Sequence, residues 1–192
     1  MPSDKQYVLR SRILYVSYAN CSKQRKPSVP SNDLVSSSTK FSAALQLLDE
    51  LGLTSSRINY GLKCIDSEYY QQHLLLQEAV HCKYPHTRAI NAVDPLVMEG
   101  RAIMWNRQTP LHPNRLDPPQ SWAVLVCGPF QKDYLFIPHL NLRLRYQGGD
   151  MVFLQGGILP HEVEAWEGGQ QVSLAHFTHK SLWDEFGLSL PI

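Results

Sequence analysis

The sequence predicts an α+β domain that is mainly β. Antiparallel strands form a sandwich or barrel in the C-terminal half, and helices from the N-terminal half pack on the outside of one sheet. Three observations carry this. From Gly100 on, short β-rich runs recur, separated by Gly and Pro turns. Before it, apolar residues fall at helical spacing. The length of 192 residues, 43% of them hydrophobic, suits one sizeable core and a single domain, 1–192.

Gln6 to Ala19 is rich in Val, Ile and Tyr and alternates loosely, which predicts an early strand. Lys23 to Ser38 carries Pro27, Pro30 and a serine cluster and reads as a loop. Thr39 to Leu51 places Phe41, Ala44, Leu45, Leu48 and Leu51 on one helical stripe, with Gly52 as its C-cap. Asp66 or Ser67 caps a second helix through Tyr69, Tyr70, Leu74 and Leu75 towards Ala79, and Pro85 lies beyond its end. Residues 1–99 thus read as a supporting region and 100–192 as the β core.

Strands are expected at Arg101–Asn106, Trp122–Cys127, Tyr134–Ile137, Asn141–Tyr146, Met151–Leu154, Glu162–Trp166 and Val172–Phe177. The turns between them are Pro118-Pro119, Gly128-Pro129, Gly148-Gly149-Asp150, Gly156-Gly157 and Gly168-Gly169.

Eighteen Lys and Arg nearly cancel seventeen Asp and Glu, so net charge does not announce a nucleic-acid binder. Lys5, Arg10, Arg12, Lys23, Arg25 and Lys26 make the first residues locally basic, a solvated surface or a contact for phosphates. Cys21, Cys64, Cys82 and Cys127 form no Cys-x-x-Cys pair, which argues against a zinc ribbon or a disulfide framework. No signal peptide or membrane-length apolar run is visible, so an intracellular protein, cytoplasmic or nuclear, is expected.

The chemistry centres on His112-Pro113-Asn114 and on His161, forty-nine residues after His112. A non-haem iron site needs two imidazoles and a carboxylate on one face. A His-x-Asp at a strand end supplies two of them, because alternate residues point to the same side. His112-x-Asn114 has that spacing with an amide in the carboxylate position.

Residues from about Asp94 to Leu188 resemble the oxygenase domain of the TET and J-binding-protein family, in particular its small fungal members. The matching blocks are Gly100-Arg101-Ala102-Ile103, Asn106-Arg107-Gln108-Thr109-Pro110 and Asp117-Pro118-Pro119 with Trp122. They continue through Leu140-Asn141-Leu142-Arg143-Leu144-Arg145-Tyr146, Gly149-Asp150, His161-Glu162-Val163 and Ala175-His176-Phe177-Thr178-His179 with Leu182-Trp183. The resemblance implies a double-stranded β-helix, Fe(II) and 2-oxoglutarate as cofactors, and oxidation of the methyl group of thymine or 5-methylcytosine. A modified base in nucleic acid is the partner it implies.

By that resemblance His112 and His161 are the metal histidines, Asn114 stands at the metal aspartate, and Gln171 stands at the arginine that pairs with 2-oxoglutarate. A paired glycine of the family is replaced by Gln131-Lys132-Asp133. A neutral amide is a weak ligand for a hard cation. A glutamine cannot make the bidentate, charge-assisted bond of an arginine, which is roughly twice as strong as a neutral one. Usual turnover is therefore expected to be impaired or lost.

Asp117 is an alternative metal ligand or a turn cap before Pro118-Pro119. Arg107, Arg143 and Arg145 are the alternative cations for the Gln171 position, or simply solvated. Three readings stay open: an oxygenase with an altered site, a non-catalytic binding module for nucleic acid, protein or a small ligand, and a repurposed cleft with hydrolytic activity such as phosphodiester cleavage. The cofactor is correspondingly Fe(II) with 2-oxoglutarate, another divalent metal, or none. His176 with His179 as a second metal site, Glu162 and Glu164 as general bases, and Trp105, Trp122, Trp166 and Trp183 as a base-stacking platform each compete with a plain structural role.

Overall fold

The run Ala123–Cys127 shows how the molecule is layered: five consecutive residues are buried, yet they serve two different cores. Ala123, Leu125 and Cys127 pack with Leu135, Tyr146, Leu154 and Val163. Val124 and Val126 pack on the other side with Ile58, Leu62 and Tyr69. A strand apolar on both faces has a sheet across from one face and helices over the other.

A computed structural model describes residues 12–19, 29–31, 34, 36–128, 133–165 and 171–190. Residues 6–11 of the early strand, the cluster Lys23–Lys26, Gln131-Lys132, Trp166 and Gly168-Gly169 lie outside the described residues. The strands are β1 (Arg12–Ala19), β2 (Val29–Pro30), β3 (Gly100–Trp105), β4 (Thr109–His112), β5 (Ala123–Cys127), β6 (Asp133–Ile137), β7 (Leu142–Tyr146), β8 (Met151–Leu154), β9 (His161–Val163) and β10 (Val172–Phe177). They form a six-stranded sheet, β2-β1-β3-β10-β5-β8, and a four-stranded sheet, β4-β9-β6-β7. Every pairing is antiparallel. From β3 on, the chain passes back and forth between the sheets, the winding of a double-stranded β-helix.

β4 is a strand that is not among those expected from the sequence. It lies at the edge of its sheet, where a proline without an N–H is tolerated, and its register with β9 is irregular between Thr109 and His112.

The helices are α1 (Ser38–Glu50), α2 (Gly52–Ile65), α3 (Ser67–Lys83), α4 (Arg88–Asn91) and α5 (Lys180–Phe186). Ser37 caps α1, its hydroxyl accepting from the Lys40 N–H at 3.2 Å. Gly52 is not a C-cap: it opens α2, a helix absent from the sequence reading. The segment is polar and interrupted by Gly61, so its intrinsic signal is weak. Tertiary packing holds it instead. Ile58 and Leu62 are buried, and a Cβ on Gly61 would come within 2.4 Å of the Phe153 ring, so the glycine lets the helix close onto β8.

Asp66 caps α3 through the Tyr69 N–H at 2.9 Å, and its other oxygen accepts from the Trp122 indole N–H at 3.0 Å. The buried stripe of α3 is Tyr69, His73, Leu76 and Val80, while Leu74 and Leu75 face solvent. Leu182 and Trp183 of α5 complete a core with Leu76 and Val80. Trp105 and Trp122 pack against the helix-side core, so those two and Trp183 are packing residues.

Buried polar groups tie the helices to the large sheet. Arg101 on β3 donates to Asp94 at 2.8 Å and to Ser55 at 2.6 Å, with side chains almost wholly out of water. His73 Nδ1 lies 3.1 Å from the Tyr69 carbonyl and so carries the proton, leaving Nε2 to accept from Thr178 Oγ1 at 3.1 Å. His176 donates to the Val124 carbonyl at 3.0 Å.

Burial holds His73 down to about 4, against its bond to Tyr69. Burial, aided by the Arg101 charge, holds His176 down to about 3. Glu99 has the opposite problem: burial of its carboxyl pushes it up to about 7.

The signs follow from linkage. Below the unfolded histidine value near 6.5 the unfolded chain takes up protons that the folded chain refuses, so stability falls as pH drops towards 4. Glu99 contributes a penalty that is absent below about 4.5 and full above about 7. Between pH 7 and pH 5 the two histidines are expected to remove about 2 kcal/mol each, and relief at Glu99 to return about 2. Denaturant titration should therefore show a net loss on acidification. Glu99→Gln should be more stable than the parent at pH 7.5 and lose roughly twice as much between pH 7 and pH 5. Equal pH profiles for parent and variant would show that the Glu99 carboxyl is not the opposing group.

Candidate functional site

The cross-strand register of β4 and β9 sets His112 directly opposite His161. Their rings stand 4.8 Å apart, tilted by 51°. Each is held by a backbone carbonyl two residues earlier: His112 Nδ1 lies 2.9 Å from Pro110 O, and His161 Nδ1 lies 3.0 Å from Leu159 O. A carbonyl only accepts, so both Nδ1 atoms carry protons, and in the neutral ring Nε2 keeps its lone pair. His161 is buried and His112 half-buried. Burial lowers the His161 pKa, its bond to Leu159 raises it, and neighbouring His112 lowers it.

Asn114 joins the pair through the Gly156-Gly157 turn. Its N–H donates to Gly156 O at 2.8 Å. A Cβ on Gly156 would stand 2.5 Å from Asn114 Nδ2 and 3.4 Å from His161 Cε1, so amide and imidazole close over the same bare glycine. Any side chain there would push one of them away.

Asp117 lines the same cavity but is already engaged. Its backbone N–H donates to Asn114 O at 3.0 Å, and its buried carboxylate accepts from His179 Nδ1 at 2.9 Å. Phe177 stacks on that imidazole at 4.6 Å. The turn reading of Asp117 missed this partner, sixty-two residues away. His176 and His179 serve different partners, Val124 O and Asp117, and are not drawn together as a pair.

Gln171 is fully buried, and its backbone exchanges two hydrogen bonds of 2.9 Å with Asn106. It does not line the cavity, which on β10 is bordered by Ser173 to Phe177. Arg107, Arg143 and Arg145 are exposed. Arg143 forms a fork with Glu164 at 2.6–3.0 Å and covers the Tyr134 ring. Glu162 and Glu164 do not line the cavity.

The cavity encloses about 620 Å³ between the two sheets, a volume typical of small-molecule sites. Its lining includes the polar His112, Asn114, Asp117, His161, His176 and His179 and the apolar Ala102, Met104, Leu125, Val163 and Ala175. Arg115 is the one arginine among the described lining residues, and it is exposed on the rim, where water screens its charge.

This donor set does not fit Fe(II) with 2-oxoglutarate. Two imidazoles and an amide bring no negative charge to a hard cation, Asp117 is committed to His179, and among the described lining residues no buried cation faces a dicarboxylate. Among the described residues no cluster of three His, Cys, Asp or Glu side chains suits a metal. No helix among them is long and apolar enough to cross a membrane.

No protein-family model matches the chain, and no curated protein matches it. Among solved structures it is similar to NgTET1 in complex with 5mC DNA, with TM-score 0.68 and 20% identity, over 88% of this chain and 61% of that one. The chain thus spans about three fifths of that protein's length. A cupin 2 conserved barrel domain protein from Salinispora arenicola aligns at TM-score 0.35 and 15% identity, over 46% of this chain and 69% of that one. A putative mannose-6-phosphate isomerase from Ralstonia eutropha aligns at TM-score 0.33 and 15% identity, over 41% and 73%. The first likeness shows the fold: a double-stranded β-helix like that of a TET oxygenase, with the helices outside.

Proposed function

We propose that the protein is a binding module built on a TET-like oxygenase barrel, holding a ligand in the cavity without 2-oxoglutarate turnover. The observation that carries this reading is the neutral donor set at His112, His161 and Asn114, with the nearby carboxylate of Asp117 bonded to His179. A site that faces two imidazoles and closes an amide with one of them over a bare glycine is built to hold something. Lacking a free carboxylate, it does not meet the charge demand of ferrous iron. The test is direct: the purified chain with Fe(II), ascorbate, oxygen and 2-oxoglutarate should form no succinate above the protein-free background. Catalytic succinate formation would restore the oxygenase reading.

Nucleic acid is the second reading, favoured by the NgTET1 structure having been determined on 5mC DNA. It predicts binding of labelled duplex DNA that weakens steeply with salt. Binding that vanishes in 150 mM salt (about 8 Å of screening length), with no preference for a modified base, would reduce it to non-specific charge. A hydrolytic cleft has less support, because Glu162 and Glu164 stand outside the cavity and Asp117 is paired.

A further inference from the structure

The cavity divides its chemistry unevenly among its lining residues. Ala102, Met104, Leu125, Val163 and Ala175 present apolar surface, the hydroxyls of Thr109, Tyr146 and Ser173 are neutral, and burial keeps the lining His176 neutral. Among the described residues the charged lining groups are Arg115 and Asp117 alone, neither of them on these strands. A carboxylate or phosphate lodged there would be stripped of water with no counter-charge, whereas an apolar body gains by leaving water.

The histidine pair is one-sided in another sense. With Nδ1 of His112 and of His161 donating to Pro110 O and Leu159 O, the Nε2 of each neutral ring can only accept. Two acceptors on facing rings call for a donor on the ligand.

We propose that the cavity takes an uncharged small molecule with an apolar body and a hydrogen-bond-donating head, a hydroxyl or an N–H, which sits at His112 and His161 while the body fills the barrel. This rests on the binding-module reading and names the ligand class for the same cavity. It differs from a dicarboxylate in both halves: the body is neutral and the head donates.

Three naphthalene probes separate the features. 2-Naphthol is neutral and donates, 2-methoxynaphthalene is neutral and does not donate, and 2-naphthoate is charged. Titration of the full chain at pH 7, followed by probe fluorescence, should rank 2-naphthol about tenfold tighter than the methoxy compound, the worth of one good hydrogen bond. 2-Naphthoate should be the weakest. Ala175→Trp fills the chamber and should abolish all binding. His112→Phe, at a half-buried position, should bring 2-naphthol down to the affinity of the methoxy compound. Should Ala175→Trp fail to fold, as judged by its melting curve, His112→Phe decides alone.

Equal affinities for all three probes, tightest binding of 2-naphthoate, or an unchanged preference in His112→Phe would overturn the proposal. So would the absence of any binding. None of these results bears on succinate formation, so the ligand class can fail while the binding-module reading stands, and the reverse.

Discussion

Replacing Asn114 by Asp is expected to raise the affinity for Fe(II) on the order of a hundredfold. Loss of an outer-shell partner alone costs about 10–100-fold in metal affinity, so a direct anionic ligand is worth at least the top of that range. Asp and Asn have the same shape, and the Gly156 cradle that accepts the amide accepts a carboxylate without rearrangement. Two ordered imidazoles with free Nε2 atoms are already present. Binding of 2-oxoglutarate should not return with this change alone. Adding Gln171→Arg should not bring it back either, because position 171 is buried outside the cavity lining and a guanidinium there does not face a dicarboxylate. Isothermal titration of the parent, both single variants and the double variant checks this. A folded Asn114→Asp variant with no gain in metal affinity would mean that Asn114 does not stand at a ligand position, and 2-oxoglutarate binding by the double variant would mean that position 171 does reach the cavity.

The largest expected loss of stability lies outside the cavity lining. Arg101→Met leaves Asp94 buried without its cation, and breaking such a pair from one side costs about 3–5 kcal/mol. The same change leaves Ser55 without the guanidinium bond of 2.6 Å, so α2 loses a tether to β3. Adding Asp94→Leu should recover much of the loss, because removing both charges removes the uncompensated one. Denaturant midpoints of the two single variants and the double variant measure it. A double variant no more stable than Arg101→Met would mean that the ion pair is not what holds this junction.

The barrel was legible because its strands punctuate themselves. Ala123–Cys127 and Val172–Phe177 are short apolar runs bounded by turns, and their alternation assigns side chains to one core or the other. Elements held by distant contacts were not. α2 owes its helix to Ile58, Leu62 and the Gly61–Phe153 approach, which no local pattern announces. β4 contains Pro110, which argues against a strand until its edge position is known.

At the site, the spacing of His112, Asn114 and His161 points to neighbours, and the fold sets Asn114 and His161 around Gly156 and His112 opposite His161. The engagement of Asp117 by His179 joins residues sixty-two positions apart, and Gln171 is buried outside the cavity lining with its backbone bonded to Asn106. Both are tertiary facts that change the chemistry of the site without leaving a motif.

The most direct test of a barrel that binds without the inherited reaction is anaerobic titration of the wild-type chain with Fe(II), with and without 2-oxoglutarate, followed by admission of oxygen and measurement of succinate. The expected result is weak metal binding that 2-oxoglutarate does not tighten, and no succinate. Metal and 2-oxoglutarate binding that reinforce each other, with succinate formed over many turnovers, would contradict it.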